Sequence, residues 1–162
     1  MQWTRDVDKL ELFLWLYGPA GAGKSSIAQS IAELCAEAGI LDGRFFFSRT
    51  AAGRNNDRLL IPTLTYQLSL SIPDILQFVG EALSRDPLVF SRSLQTQMDT
   101  LILGPLSQVA ASRQDLEHGT NSRPIFFIID GLDECGEAKV NASSCPCSLL
   151  LFDALQSLSF FL

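Results

Sequence analysis

Gly18-Pro19-Ala20-Gly21-Ala22-Gly23-Lys24-Ser25 follows the spacing G-x-x-x-x-G-K-[ST]. Glycines at these positions let the backbone turn so tightly that several N–H groups point at one anion. The apolar run Leu10 to Tyr17 precedes the stretch and an amphipathic pattern from Lys24 to Ala38 follows it. A strand before and a helix after are the context in which this spacing binds phosphate, because the helix adds its positive N-terminal end. Lys24 can then reach the β- and γ-phosphates, and the Ser25 hydroxyl can bind Mg²⁺. A Gly-rich turn without a ligand explains the glycines, but not a lysine and a serine in that register. The stretch therefore predicts a nucleoside triphosphate ligand, with Mg²⁺ as its companion.

The chain has 162 residues, one domain's worth, of which 47% are hydrophobic and 19% charged. These are the proportions of a globular domain with a core of its own. Twelve Lys and Arg against 18 Asp and Glu give a net charge of −6, which argues against a sequence-independent nucleic-acid binder. The mixed charges of Met1 to Lys9 do not resemble a signal peptide, and the apolar runs are too short for a membrane span. The expected location is cytoplasmic. Cys35, Cys135, Cys145 and Cys147 make no even ladder of spacings, consistent with reduced thiols. Cys145-Pro146-Cys147 has no second Cys or His pair for a zinc site. The single histidine, His118, sits in the loop-like stretch Ser112 to Arg123 without a partner at metal spacing.

Hydrophobic periodicity orders the rest of the chain. Ile27, Ile31, Leu34, Cys35 and Ala38 recur at helical spacing, and Gly39 and Asp42-Gly43 end the helix. Arg44 to Ser48, with three consecutive phenylalanines, reads as a short buried strand. Leu59 to Leu70 is an amphipathic helix that tolerates Pro62 only in its first turn. A further helix spans Asp74 to Ser84, and Ser93 to Ala111 looks helical but interrupted at Gly104-Pro105. Pro124 to Ile129 is a third buried strand, ending on Asp130.

An apolar strand ending in an acid is how phosphate-loop enzymes hold Mg²⁺ through its water shell. Asp130 is accordingly the second metal candidate beside Ser25; its plainer role is a strand-end aspartate in the turn before Gly131. Two readings of Asp133 and Glu134 stay open. They orient or deprotonate an attacking water, or they are first-turn acids of the next helix, favoured by its dipole.

The block Asp130-Gly131-Leu132-Asp133-Glu134-Cys135 resembles the Walker B region of NACHT domains, which belong to the STAND class of signal-transduction NTPases. The phosphate loop GPAGAGKSS (Gly18 to Ser26), the segment Phe45 to Arg49 and the helix Leu60 to Leu68 are similar to those of fungal NACHT proteins, the nephrocystin-like N-terminal modules among them. The resemblance covers about Leu12 to Cys135, most of the chain. It implies a three-layer α/β P-loop NTPase sandwich with a mainly parallel sheet, cofactor contacts at Gly18, Gly21, Gly23, Lys24, Ser25 and Ser26, metal ligation by Ser25 and through water by Asp130, and a hydrolytic region at Asp133 and Glu134. It implies ATP or GTP as ligand and self-association through the NTPase domain, with neither nucleic acid nor membrane as partner. Arg49 matches a family position with no role derived for it.

In such domains another strand, carrying a sensor residue, lies between the phosphate-loop strand and the strand ending in the acid. Residues 136–148 are an Asn/Ser/Pro/Cys-rich loop atypical of the family, and Leu149 to Leu158 reads as the following helix. The sequence stops at Leu162, about where the sensor strand is due. The expectation is thus a sandwich incomplete at its C-terminus, binding nucleotide with weak or absent turnover. Two other readings are a P-loop small-molecule kinase, with Arg49, Arg54 and Arg58 as a lid, and a truncated non-catalytic interaction fragment.

Overall fold

The computed structural model describes Leu14, residues 16–114 and residues 124–135. In order these form α1 (Lys24–Glu37), β1 (Gly43–Phe46), a 3₁₀ turn (Asp57–Leu59), α2 (Leu60–Ser71), α3 (Ile75–Arg85), a 3₁₀ turn (Val89–Ser91), α4 (Leu94–Met98), a π turn (Asp99–Leu103), α5 (Gly104–Gln114), β2 (Phe127–Asp130) and a last 3₁₀ turn (Leu132–Glu134). The class is α/β: a mixed helical body around a small parallel sheet of two strands.

The strands are paired from Gly43 opposite Phe127 to Phe46 opposite Asp130. A parallel pair needs a long crossover, and here α2 to α5 supply it. Asp42 fixes the start of the ladder. Its carboxylate accepts the Phe126 N–H at 2.8 Å, and its own N–H donates to the Phe126 carbonyl at 2.9 Å. Only 2% of Asp42 is exposed, so a residue that reads as a turn former is a buried staple between strands 84 positions apart.

The outer edge of β1 is closed by a side chain. The Gln67 carboxamide on α2 accepts the Arg44 N–H at 2.6 Å and donates to the Arg44 carbonyl at 3.2 Å. Backbone groups that would otherwise offer themselves to a further strand are satisfied within the molecule.

Phe45 and Phe47 point into the core edge to face, with ring centroids 4.9 Å apart. They belong to one core with Leu60, Ile61, Leu64 and Leu68 of α2, Ile75 and Val79 of α3, and Leu101, Ile102 and Leu106 beyond. On α2 this spacing puts apolar residues from successive helical turns on one face, and Pro62 sits in the first turn, where no intrahelical N–H is required.

Several expectations are corrected. Leu94 to Gln114 runs on through Gly104-Pro105 instead of breaking. A proline ring clashes with the carbonyl four residues back and lacks an N–H. The π turn widens the helix there, with the Gly104 N–H reaching the Asp99 carbonyl five residues back. On α1 only Ala32 and Cys35 are buried, while Ile27, Leu34 and Ala38 are exposed. The helix lies against β2 along a narrower seam than its stripe of apolar residues suggests. All four residues of β2 are half-buried, because among the described residues it has a strand on one side only. Of the apolar run before the glycine loop, Leu14, Leu16 and Tyr17 are exposed and belong to no strand; apolarity calls for burial but names no partner. The remainder of that run, His118, Cys145, Cys147, the loop 136–148 and the helix expected at Leu149 to Leu158 lie outside the described residues. Among the described residues, no helix is long and apolar enough to cross a membrane.

Candidate functional site

The glycine loop enters α1 through two residues in left-handed backbone conformation, Gly21 and Gly23, both at φ +80°. A side chain at either would strain the backbone, though open space surrounds both Cβ positions. The loop closes on itself through the Ala22 N–H and the Pro19 carbonyl at 3.2 Å. The Lys24 ammonium bends back across it, donating to the carbonyls of Gly18 at 2.8 Å and Pro19 at 3.0 Å. The lysine is therefore held over the loop by the loop's own carbonyls.

The first intrahelical bond of α1 runs from Ile27 N–H to Gly23 carbonyl. The amides of Lys24, Ser25 and Ser26 come before it. No side chain caps this end, and its first turn contains no acid. Helix starts ordinarily recruit a Ser, Thr, Asp or Asn to satisfy such donors. Here they open on an exposed loop with a lysine beside them, the arrangement that best receives an anion. The Ser25 hydroxyl has no hydrogen-bond partner among the described residues, and neither has the Asp130 carboxylate.

The acids follow the Phe46–Asp130 end of the strand register. Asp130 closes β2, Gly131 turns the chain at φ +74°, and Leu132 to Glu134 make one 3₁₀ turn with the Glu134 N–H on the Gly131 carbonyl at 2.7 Å. The turn is built against the end of β1: the Phe47 N–H donates to the Asp130 carbonyl at 2.9 Å. A Cβ on Gly131 would come within 3.0 Å of the Phe47 carbonyl oxygen. The Arg49 N–H donates to Glu134 Oε2 at 3.0 Å, and its guanidinium Nη2 donates to the Asp133 carbonyl at 3.1 Å.

The structure thus joins Arg49, Asp130, Asp133 and Glu134 into one cluster. Lys24 and Ser25 form a second, on the helix that packs on β2. Among the described residues, no hydrogen bond or ion pair links the two. The binding role of Arg49 toward the acids was not readable from sequence. The two partners are 84 and 85 residues from it, and the sequence offered an arginine at the end of a strand, matching a family position without a role. Arg54 lines a different feature, a groove of about 250 Å³ between β1, α2 and the loop at Ala52 to Arg54, with Arg44, Leu59, Thr63 and Gln67 among its walls.

Fitness for Mg²⁺ follows from donor chemistry. A hydroxyl and a carboxylate are the hard oxygen ligands this ion takes. Among the described residues no group of three or more His, Cys, Asp or Glu gathers as a metal cage. Ser25 and Asp130 each offer one oxygen donor of the kind this ion takes alongside water and phosphate oxygens.

The fold is thus that of an α/β domain in which a parallel strand pair presents an acidic turn and a glycine loop opens an uncapped helix. The family model described as Nephrocystin 3, N-terminal, matches residues 1–159, and the chain belongs to that family. No curated protein and no solved structure matches the chain.

Proposed function

We propose that this chain is the nucleotide-binding module of a STAND-class signalling NTPase of the NACHT type, taking ATP or GTP with Mg²⁺. The observation that carries the reading is the start of α1: unsatisfied amides, no acid, two left-handed glycines and a lysine held across the loop. Each is costly or unhelpful in a plain turn, and together they suit a polyphosphate. In this reading Gly18, Gly21, Gly23, Lys24, Ser25 and Ser26 embrace the phosphates, and Ser25 and Asp130 hold the ion. Asp133 and Glu134 face the γ-phosphate. The parallel neighbours β1 and β2, with Gln67 closing the edge, are the outer part of the three-layer sandwich. Turnover is slow or absent, and nucleotide state governs self-association in the cytoplasm.

The test is binding of a fluorescent ATP or GTP analogue in Mg²⁺. Removing one charge-assisted donor by Lys24→Ala weakens binding by about tenfold or more. Equal binding by the two proteins would refute the phosphate site and favour a non-catalytic interaction fragment. The kinase reading is the weaker one, because Arg49 is engaged with Asp133 while Arg54 lines a separate groove. Transfer of the γ-phosphate to a metabolite would restore it.

A further inference from the structure

We propose that Arg49 is a positioning residue for the acid turn, holding Glu134 in the orientation from which it acts on water; this rests on the nucleotide reading above. Two bonds of different kinds converge from this one residue. The main-chain N–H takes one carboxylate oxygen, Oε2 of Glu134, at 3.0 Å. The guanidinium takes the Asp133 carbonyl at 3.1 Å. A 3₁₀ turn of three residues has little hydrogen bonding of its own, so these contacts decide where its side chains point. The strand end beneath is anchored by backbone hydrogen bonds. Phe47 is buried and bonded to Asp130, and Ser48 is tied back by its N–H to the Arg54 carbonyl at 2.8 Å. Arg49 therefore follows a strand end that is hydrogen-bonded to Asp130.

The arrangement leaves Glu134 Oε1 without a partner among the described residues. That oxygen is the one available to a water. In the step it would serve, the water oxygen forms a bond to the γ-phosphorus, and the bond from that phosphorus to the β-bridging oxygen breaks. The nucleoside diphosphate leaves with the electron pair, and the water proton passes to the carboxylate and on to the released phosphate. Asp133 contributes its backbone to the clamp, so its side chain is not what Arg49 orients. Arg49 touches neither water nor phosphate in this scheme; it acts through Glu134.

The experiment has two arms on the full chain. The first needs no nucleotide: amide hydrogen exchange at Arg49 by NMR. Glu134→Ala removes the acceptor and speeds that exchange by about tenfold or more, whereas Glu134→Gln keeps an acceptor oxygen and preserves protection. Unchanged exchange in Glu134→Ala overturns the clamp. The second arm measures analogue affinity and single-turnover hydrolysis. Arg49→Ala slows turnover by about tenfold or more while affinity stays within about threefold. Arg49→Lys, which retains a donor, recovers part of the rate. Arg49→Ala costs nothing further in a Glu134→Gln background, a non-additivity that general destabilisation would not produce. Turnover unaffected by Arg49→Ala, or absent from a wild type that binds nucleotide, overturns the positioning role and leaves the binding site standing. Absence of binding by the wild type overturns the nucleotide reading itself, whatever Arg49 does.

Discussion

Gly131→Ala would test how the acid turn is made. Gly131 sits at φ +74°, ψ 28°, a conformation that costs an L-residue about 1–2 kcal/mol. The new methyl would also stand 3.0 Å from the Phe47 carbonyl oxygen and 3.2 Å from the Phe47 Cβ. Neither atom is the free end of a flexible side chain. Phe47 is 5% exposed, and its N–H is bonded to Asp130. The end of β1 must therefore shift, as in a mild overpacking, for about 1 kcal/mol more. The sum is about 2–3 kcal/mol, which for a chain of this length lowers Tm by about 4–12 °C. Gly80→Ala is the control. Gly80 lies within α3, with open space where its Cβ would go, so the alanine gains about 0.5–1 kcal/mol of helix propensity. Both variants are compared with wild type by urea and thermal unfolding followed by circular dichroism. If Gly131→Ala lies within about 0.5 kcal/mol of wild type, at an unchanged urea slope, the tight packing of this turn against β1 is refuted.

Other substitutions probe the fold beneath the site. Asp42→Ala strips a buried acceptor from the Phe126 N–H and is expected to cost about 1–3 kcal/mol in urea unfolding; a neutral result would show that the staple is dispensable. Leu64→Ala, at a position with no exposure between sheet and helices, costs about 2–5 kcal/mol by the same measurement. Gln67→Ala frees both backbone groups of Arg44, so light scattering on storage should show increased association through the β1 edge. Burial pushes the Cys35 thiol up from its ordinary value of 9.0. The folded chain then keeps a proton that the unfolded chain has lost, so the contribution of this group is intact below that pH and declines as pH rises above it. Urea midpoints taken across this range should fall more steeply for wild type than for Cys35→Ala.

The elements that depend on local pattern were legible without coordinates. The helix after the glycine loop, the strand at Phe45, the helix with Pro62 in its first turn and the strand ending on Asp130 each follow from spacing within a dozen residues. Propensity, periodicity and the backbone needs of Gly and Pro act over that range. The local rule failed at Gly104-Pro105, where one π turn accommodates the proline and the packing of Leu101, Ile102 and Leu106 holds the helix together. It also overestimated α1, where Ile27 and Leu34 of the apolar stripe are left uncovered by the described residues.

By itself the sequence determined the candidate chemistry: a glycine loop carrying Lys24 and Ser25, and an acidic turn at Asp130 to Glu134. Only the tertiary structure decided which groups stand together. Asp42 reaches Phe126, Gln67 closes β1, and Arg49 grips Asp133 and Glu134, in each case across 23 to 85 positions of chain. The strength of a hydrogen bond depends on a distance of about 3 Å and an angle. Sequence separation carries neither, and both emerge only once the crossover helices have brought the two strands into register.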